Sequence, residues 1–112
     1  MYRQGAIVVV LFPFTDGSGS KKRPALIISN ELINKTGDYL VVQITSKNNI
    51  DELSIPIEKK DCIIELPLVS FVRPHKIFTI HESLFVSKIT DANPEFFERI
   101  TDKIYSFIVK ES

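Results

Sequence analysis

A chain of 112 residues with 44% hydrophobic side chains is sized for one domain with a single modest core, spanning residues 1–112, and this composition excludes a disordered chain. Fourteen Lys and Arg balance fourteen Asp and Glu, so the net charge is zero; this argues against a generic, strongly basic nucleic-acid binder and leaves room for a small local basic site. One cysteine, Cys62, excludes an internal disulfide and fits a reducing cytoplasm, where the chain is expected to reside.

In chain order, the first informative stretch is Gly5 to Ser29, GAIVVVLFPFTDGSGSKKRPALIIS. Its apolar runs, Ala6–Phe12 and Ala25–Ile28, are short and bounded by Pro and Gly, which predicts two buried strands. Between them the sequence predicts a loop from Pro13 to the basic triplet Lys21-Lys22-Arg23. Its DGSGS segment offers no side chain to pack, and two glycines leave its backbone free. Cations at the base of a rigid sheet beside an adaptable loop suit a polyanionic ligand. Taken alone, the stretch reads more readily as a solvated hairpin loop with lysines for solubility. Arg3 followed by Ala6–Phe12 also has the outline of a secretory leader, but the run is short, Pro13 interrupts it, and no small-residue cleavage site follows. No run approaches the ~20 apolar residues of a membrane span.

Asn30–Asp38 is polar, with a helical turn in ELINK that ends at Gly37. Tyr39–Thr45 reads as a third strand, rich in Val, Ile and Tyr. Lys47–Asp51 is a polar turn. Leu53–Ile57 reads as a short strand with one buried face, and Pro56 assigns it to an edge. Cys62–Leu66 is either a strand or an irregular crossing, and Cys62 within it reads as a small buried hydrophobe. Val69–Ile80 is the longest β-like segment, and Pro74 within it demands a bulge or an edge. The period then changes. Asn93 is an N-cap, Pro94 suits the first helical position, and Glu95 suits the helix dipole. Phe96, Phe97, Ile100, Ile104, Phe107 and Ile108 follow at spacings of three and four, predicting a helix whose apolar stripe covers the sheet.

Three pieces in order resemble one family. They are Gly-x-Ile-Val-x-Val with Phe-Pro-Phe-Thr-Asp and Lys-Arg-Pro-Ala-Leu-Ile-Ile-Ser; Val41-Val42-Gln43-Ile44-Thr45-Ser46; and Leu66-Pro67-Leu68-Val69-Ser70-Phe71-Val72. Together they span almost the whole chain and are similar to the MazF/PemK toxins of type II toxin–antitoxin modules. The resemblance implies a mainly β fold with α: a small SH3-like barrel of about five to seven strands, with the C-terminal amphipathic helix packed on it. It also implies a homodimer, sequence-selective and metal-independent cleavage of single-stranded RNA with no cofactor, and restraint by a cognate antitoxin protein.

The family's catalytic arginine and threonine match Arg23 in Lys-Arg-Pro and Thr45 in Ile-Thr-Ser. Arg23 opens the second strand and Thr45 closes the third, so antiparallel neighbours would bring them to one edge of the sheet. An arginine fork fits a phosphate and a threonine hydroxyl adds a donor on a stiff stem, although both are ordinary strand-end residues without the family. Neither was expected to belong to the core. Candidate substrate-binding residues are Asp16, Lys21, Lys22, Ser46, Ser70 and Arg73; of these, Ser70 matches the family's serine. Asp16 reads equally as a cap for the turn into Gly17. His75 and His81 have a spacing that suits an acid–base pair on one strand face, but Pro74 disturbs the strand and the family has no need of them, so they read as surface or structural residues. No arrangement resembles a zinc, P-loop or Ser-His-Asp site. Two other readings remain: a non-enzymatic gyrase poison of the related CcdB type, and a small RNA-binding β-barrel without activity. The Arg23 and Thr45 pair favours cleavage over the gyrase poison, which does not need it.

Overall fold

The computed structural model describes residues 2–13, 19–46 and 51–112. Strand β1 (Ala6–Pro13) pairs antiparallel with β2 (Ser20–Ile27), Ile7 facing Leu26 and Pro13 facing Ser20. The basic triplet therefore lies inside β2, a correction to the expected loop boundary. Strand alternation then divides the cations. Lys21 and Arg23 share a face with their partners Phe12 and Val10, whereas Lys22 sits opposite Leu11 on the other face.

A single helical turn, α1 (Glu31–Asn34), follows; Asn30 caps it by accepting from the Leu32 N–H at 3.0 Å. Gly37, at φ 92°, makes the turn into β3 (Asp38–Thr45). Strands β4 (Ile55–Ile57), β5 (Ser70–His81) and β6 (Phe85–Asp91) complete one antiparallel sheet in the order β4-β5-β3-β2-β1-β6. β4 is an edge, as Pro56 requires. In β5, Ile77 faces Val42 while Arg73 faces Gln43, so Pro74–Lys76 form a bulge with no partners in β3. Proline's missing donor costs nothing there.

Strand β6 has no counterpart in the sequence reading. Its partners in β1 face Thr90, Lys88, Ser87 and Phe85, and the register shifts skip Ile89 and Val86. Two bulges in seven residues erase the period-two pattern by which a strand is recognised.

The sheet carries a core on each face. Val8, Val10, Phe12, Ala25, Ile27, Tyr39, Val41 and Ile80 form one. Ile7, Leu26, Val42, Ile44 and Val72 form the other, against Phe96, Ile100 and Ile104 of α2 (Pro94–Ile108). Phe12 of β1 and Phe78 of β5 touch at 5.0 Å between ring centroids although β2 and β3 lie between them. Three strand spacings span about 14 Å in a flat sheet, so the sheet curls toward the first face, which is concave.

Asn93 caps α2, its side-chain oxygen accepting from the Phe96 N–H at 3.1 Å, with Pro94 in the first turn. The apolar stripe is only partly used. Phe96, Ile100 and Ile104 are buried, but Phe107 and Ile108 are 39% and 72% exposed, so the last turn overruns the sheet it was expected to cover. Cys62–Leu66 is an irregular crossing apart from one bridge between Cys62 and Ala92. Cys62 is buried; burial, then the Asp61 carboxylate, pushes its thiol pKa up, which favours an inert packing residue. No helix among the described residues is long and apolar enough to cross a membrane.

Candidate functional site

The end of the concave face nearest the β1–β2 connection gathers polar side chains where hydrophobic ones would continue the core. β2 pairs with β3 from Ile27 opposite Val41 to Ala25 opposite Gln43. Continuing that register by two residues sets Arg23 across from Thr45, so the two strands are antiparallel neighbours as the site requires. Thr45 in turn faces Phe71 of β5, which faces Pro56 of β4. At this end Val10 pairs with Arg23 and Thr45 with Phe71. The next row inward runs Val8, Ala25, Gln43, Arg73. Arg23, Gln43, Phe71 and Arg73 are half-buried, while Thr45 is 9% exposed. Thr45 is therefore buried, contrary to expectation, at the end of β3 where it pairs with Phe71 of β5.

Lys21 extends the concave face beyond Arg23 and is exposed. Lys22, also exposed, belongs to the opposite face. Ser70 and Ser46 are likewise separated from the Arg23 row. They line a pocket of about 90 Å³ with Pro24 and Ile89 on the helix-covered side, and the Ser70 hydroxyl donates to the Leu68 carbonyl at 2.9 Å. Asp16 lies outside the described residues.

Arg73 is held by a partner that sequence reasoning missed. Its Nη2 donates to Asp51 Oδ2 at 3.2 Å, and His75 Nε2 stands 3.6 Å from the same oxygen. Asp51 Oδ1 accepts from the Leu53 and Ser54 N–H groups. Desolvation acts to raise the Asp51 pKa. The hydrogen bond from Arg73, those from Leu53 and Ser54, and the nearby His75 outweigh it and hold the carboxyl below its usual range. Arg73 Nε and His75 Nδ1 are buried without a hydrogen-bond partner among the described residues. Asp51 and Arg73 lie 22 residues apart, so no local spacing announces the pair. His75, read from the sequence as a surface or structural residue, is half-buried beside Asp51. His81 accepts from the Ser83 N–H at 3.2 Å and closes the turn before β6. Among the described residues, no three His, Cys, Asp or Glu side chains cluster so as to hold a metal ion.

This frame, a curled six-stranded sheet with a cationic end and a C-terminal helix on its back, is shared with known proteins. Residues 3–108 match the model of the PemK-like, MazF-like toxins of type II toxin–antitoxin systems, and the chain belongs to that family. Among solved structures, an endoribonuclease in complex with its cognate antitoxin from a mycobacterial species is similar at TM-score 0.75 and 18% identity, covering 100% of both chains. A MazE–MazF crystal structure from Deinococcus radiodurans is similar at TM-score 0.79 and 18% identity, covering 98% of this chain and 97% of that one. The Mycobacterium tuberculosis toxin MazF-mt6 is similar at 0.67 and 16%, covering 94% and 99%. At such identities the likeness is one of fold. No curated protein matches by sequence.

Proposed function

We propose that the chain is an endoribonuclease toxin that cleaves single-stranded RNA without a metal, using Arg23 and Thr45. The observation that carries this reading is the antiparallel pairing of β2 with β3, whose last pair is Ala25 with Gln43; Arg23 and Thr45 each lie two residues beyond that pair, toward the same end of the concave face. Family membership and the ribonucleases among the similar structures support it.

In this reaction the 2′-oxygen of the substrate attacks the adjacent phosphorus. The bond from phosphorus to the 5′-oxygen breaks, the 2′-hydroxyl gives up its proton and the 5′-oxygen gains one. The products are a 2′,3′-cyclic phosphate and a 5′-hydroxyl, and no water is consumed. Arg23 supplies a rigid fork of donors to the phosphoryl oxygens as their charge grows, and Thr45 adds its hydroxyl on a buried, stiff stem. Preorganised donors of this kind are the largest single contribution in many enzymes. Lys21, exposed on the same face, draws the flanking backbone by charge.

The toxin acts in the cytoplasm as a homodimer, since β4 and β6 leave both sheet edges open and a two-fold contact would cover such an edge. A cognate antitoxin restrains it by laying an acidic peptide across Lys21 and the β1–β2 connection. Light scattering at micromolar concentration checks the dimer: a monomer mass counts against it.

The deciding experiment incubates the protein with long single-stranded RNA in EDTA. Cleavage with cyclic-phosphate ends is expected, and a single 2′-deoxy substitution before the cut should abolish it with binding retained. Thr45→Val, which keeps the buried volume, should cut more slowly and stay folded. Cutting of the deoxy-substituted strand would overturn the mechanism.

A further inference from the structure

Behind Arg23 and Thr45 the concave face carries polar and aromatic groups that phosphate chemistry does not use. Gln43 interrupts an apolar strand, Val41-Val42-Gln43-Ile44, at a position whose cross-strand neighbours are Ala25 and Arg73. It is half-buried, and its amide forms no hydrogen bond with any described residue. A glutamine in the middle of a sheet contributes less to packing than the valines beside it, and its amide is not among the buried polar atoms that lack a partner, so it stays open to a ligand. Its neighbour in β2 is the small Ala25. Phe71, one row toward the mouth and across from Thr45, is likewise half-buried, and its ring makes no aromatic contact with a described residue. Arg73 closes the far side. Asp51 ties one of its terminal nitrogens, and its Nε has no hydrogen-bond partner among the described residues.

These groups have the chemistry of a base site. Unstacked RNA bases are read by stacking on aromatic rings and by hydrogen bonds along an edge. A glutamine amide presents one donor and one acceptor side by side, the complement of the donor and acceptor pair on adenine. Gln43 and Thr45 are two residues apart on one face of β3, about 7 Å, which is within reach of the base attached to a phosphate held at Arg23.

We propose that Phe71 and Gln43 form a base subsite of the ribonuclease, Phe71 stacking a nucleobase next to the cut and Gln43 selecting adenine by its edge, with Asp51 as a positioning residue that holds Arg73 clear of that edge. The subsite rests on the ribonuclease reading above, but base binding and cleavage are measured separately.

Two probes do this: a random-sequence RNA pool whose cut ends are sequenced, and a random single-stranded DNA pool, which lacks the 2′-hydroxyl, whose bound fraction is sequenced. The protein should favour adenine over other bases by about tenfold at one position beside the cut, the scale of one bidentate base contact. Gln43→Ala should flatten that position alone. Gln43→Glu, nearly the same shape but able only to accept, should move the preference toward cytosine, whose amino group donates. Phe71→Leu keeps apolar volume and should weaken binding of every sequence about tenfold without changing the preferred base. Circular dichroism checks that each variant is folded, and Gln43→Glu carries the test if Gln43→Ala is not. Adenine enrichment in the DNA pool that Gln43→Glu redirects, together with no cutting of RNA, would support the subsite and sink the ribonuclease reading. A guanine preference, or an unchanged preference in Gln43→Glu, would overturn the subsite.

Discussion

The two faces of the central strands are built from alternate residues of the same segments, yet they carry different work. On the helix side, Leu26, Val42, Ile44 and Val72 are at most 1% exposed and meet Phe96 and Ile100. On the concave side the same strands begin as core, with Ile27 and Val41, and end in Arg23, Gln43 and Thr45. Moving two residues along β2, from Ala25 to Arg23, crosses from packing to charge. A strand can do this because successive side chains never share a face, so one side secures the backbone that aims the other. The comparison implies that stability and activity are separable by face, and the predictions below test that separation.

The largest effect on stability should come from the helix side. Leu26→Ala removes a fully buried side chain between β2 and α2, at a cost of about 2–5 kcal/mol. Urea unfolding measures the loss, and cleavage per folded molecule should be nearly unchanged. A large loss of activity in the folded fraction would break the separation.

On the concave side, Arg23→Ala should lower the cleavage rate by about a hundredfold or more, the usual consequence of removing one preorganised donor to a growing charge. Arg23→Lys should not restore it, because a point charge cannot reproduce the fork. The urea midpoint of both variants should match the parent's, since Arg23 is half-buried at the end of a core row. Full activity in Arg23→Ala would move the assignment toward a toxin that only binds.

Asn93→Ala should cost about 1 kcal/mol, the ordinary value of an N-cap. Asn93 also donates through its side-chain amide to the Lys60 carbonyl, so the change loosens α2 from the Lys60–Asp61 turn as well. Thermal melting detects the loss, and cleavage below the transition should be unaffected, because the cap belongs wholly to the helix side.

What the sequence showed follows the same division. The helix announced itself because Asn93, Pro94 and the apolar spacing act locally, and β1 to β3 because dense Val and Ile runs need little context. Strand β6 was silent because its bulges at Val86 and Ile89 break the alternation. The last turn of α2 was misjudged because periodicity marks a face without saying where the sheet ends. Arg23 and Thr45 stood out through family resemblance rather than through their own chemistry. Ser46 and Ser70 are near them in sequence pattern but lie on the other face, a distinction only register supplies. Gln43 did carry a signal, a lone amide in an apolar strand. Asp51 carried none, because its partner Arg73 arrives from another strand.

That pair supplies the smallest predicted effect, and its sign follows from Asp51. Arg73, the Leu53 and Ser54 contacts and His75 outweigh desolvation and lower the folded-state pKa of the carboxyl below that of the unfolded chain. A lowered carboxyl pKa contributes stability that is fully present above the unfolded value of about 3.9 and disappears as pH falls through the folded value. The parent should therefore exceed Asp51→Asn in melting temperature by a small, constant margin from neutral pH down to about pH 5, and the two curves should converge in stronger acid. Asp51 and Arg73 are 38% and 28% exposed, so solvent screens the pair and added salt should narrow the margin further. Asp51→Asn should also slow cleavage slightly at neutral pH, because Arg73 loses its anchor beside Gln43. A margin that grew toward acid pH would mean that some other group, rather than the carboxyl of Asp51, sets the difference between the two proteins.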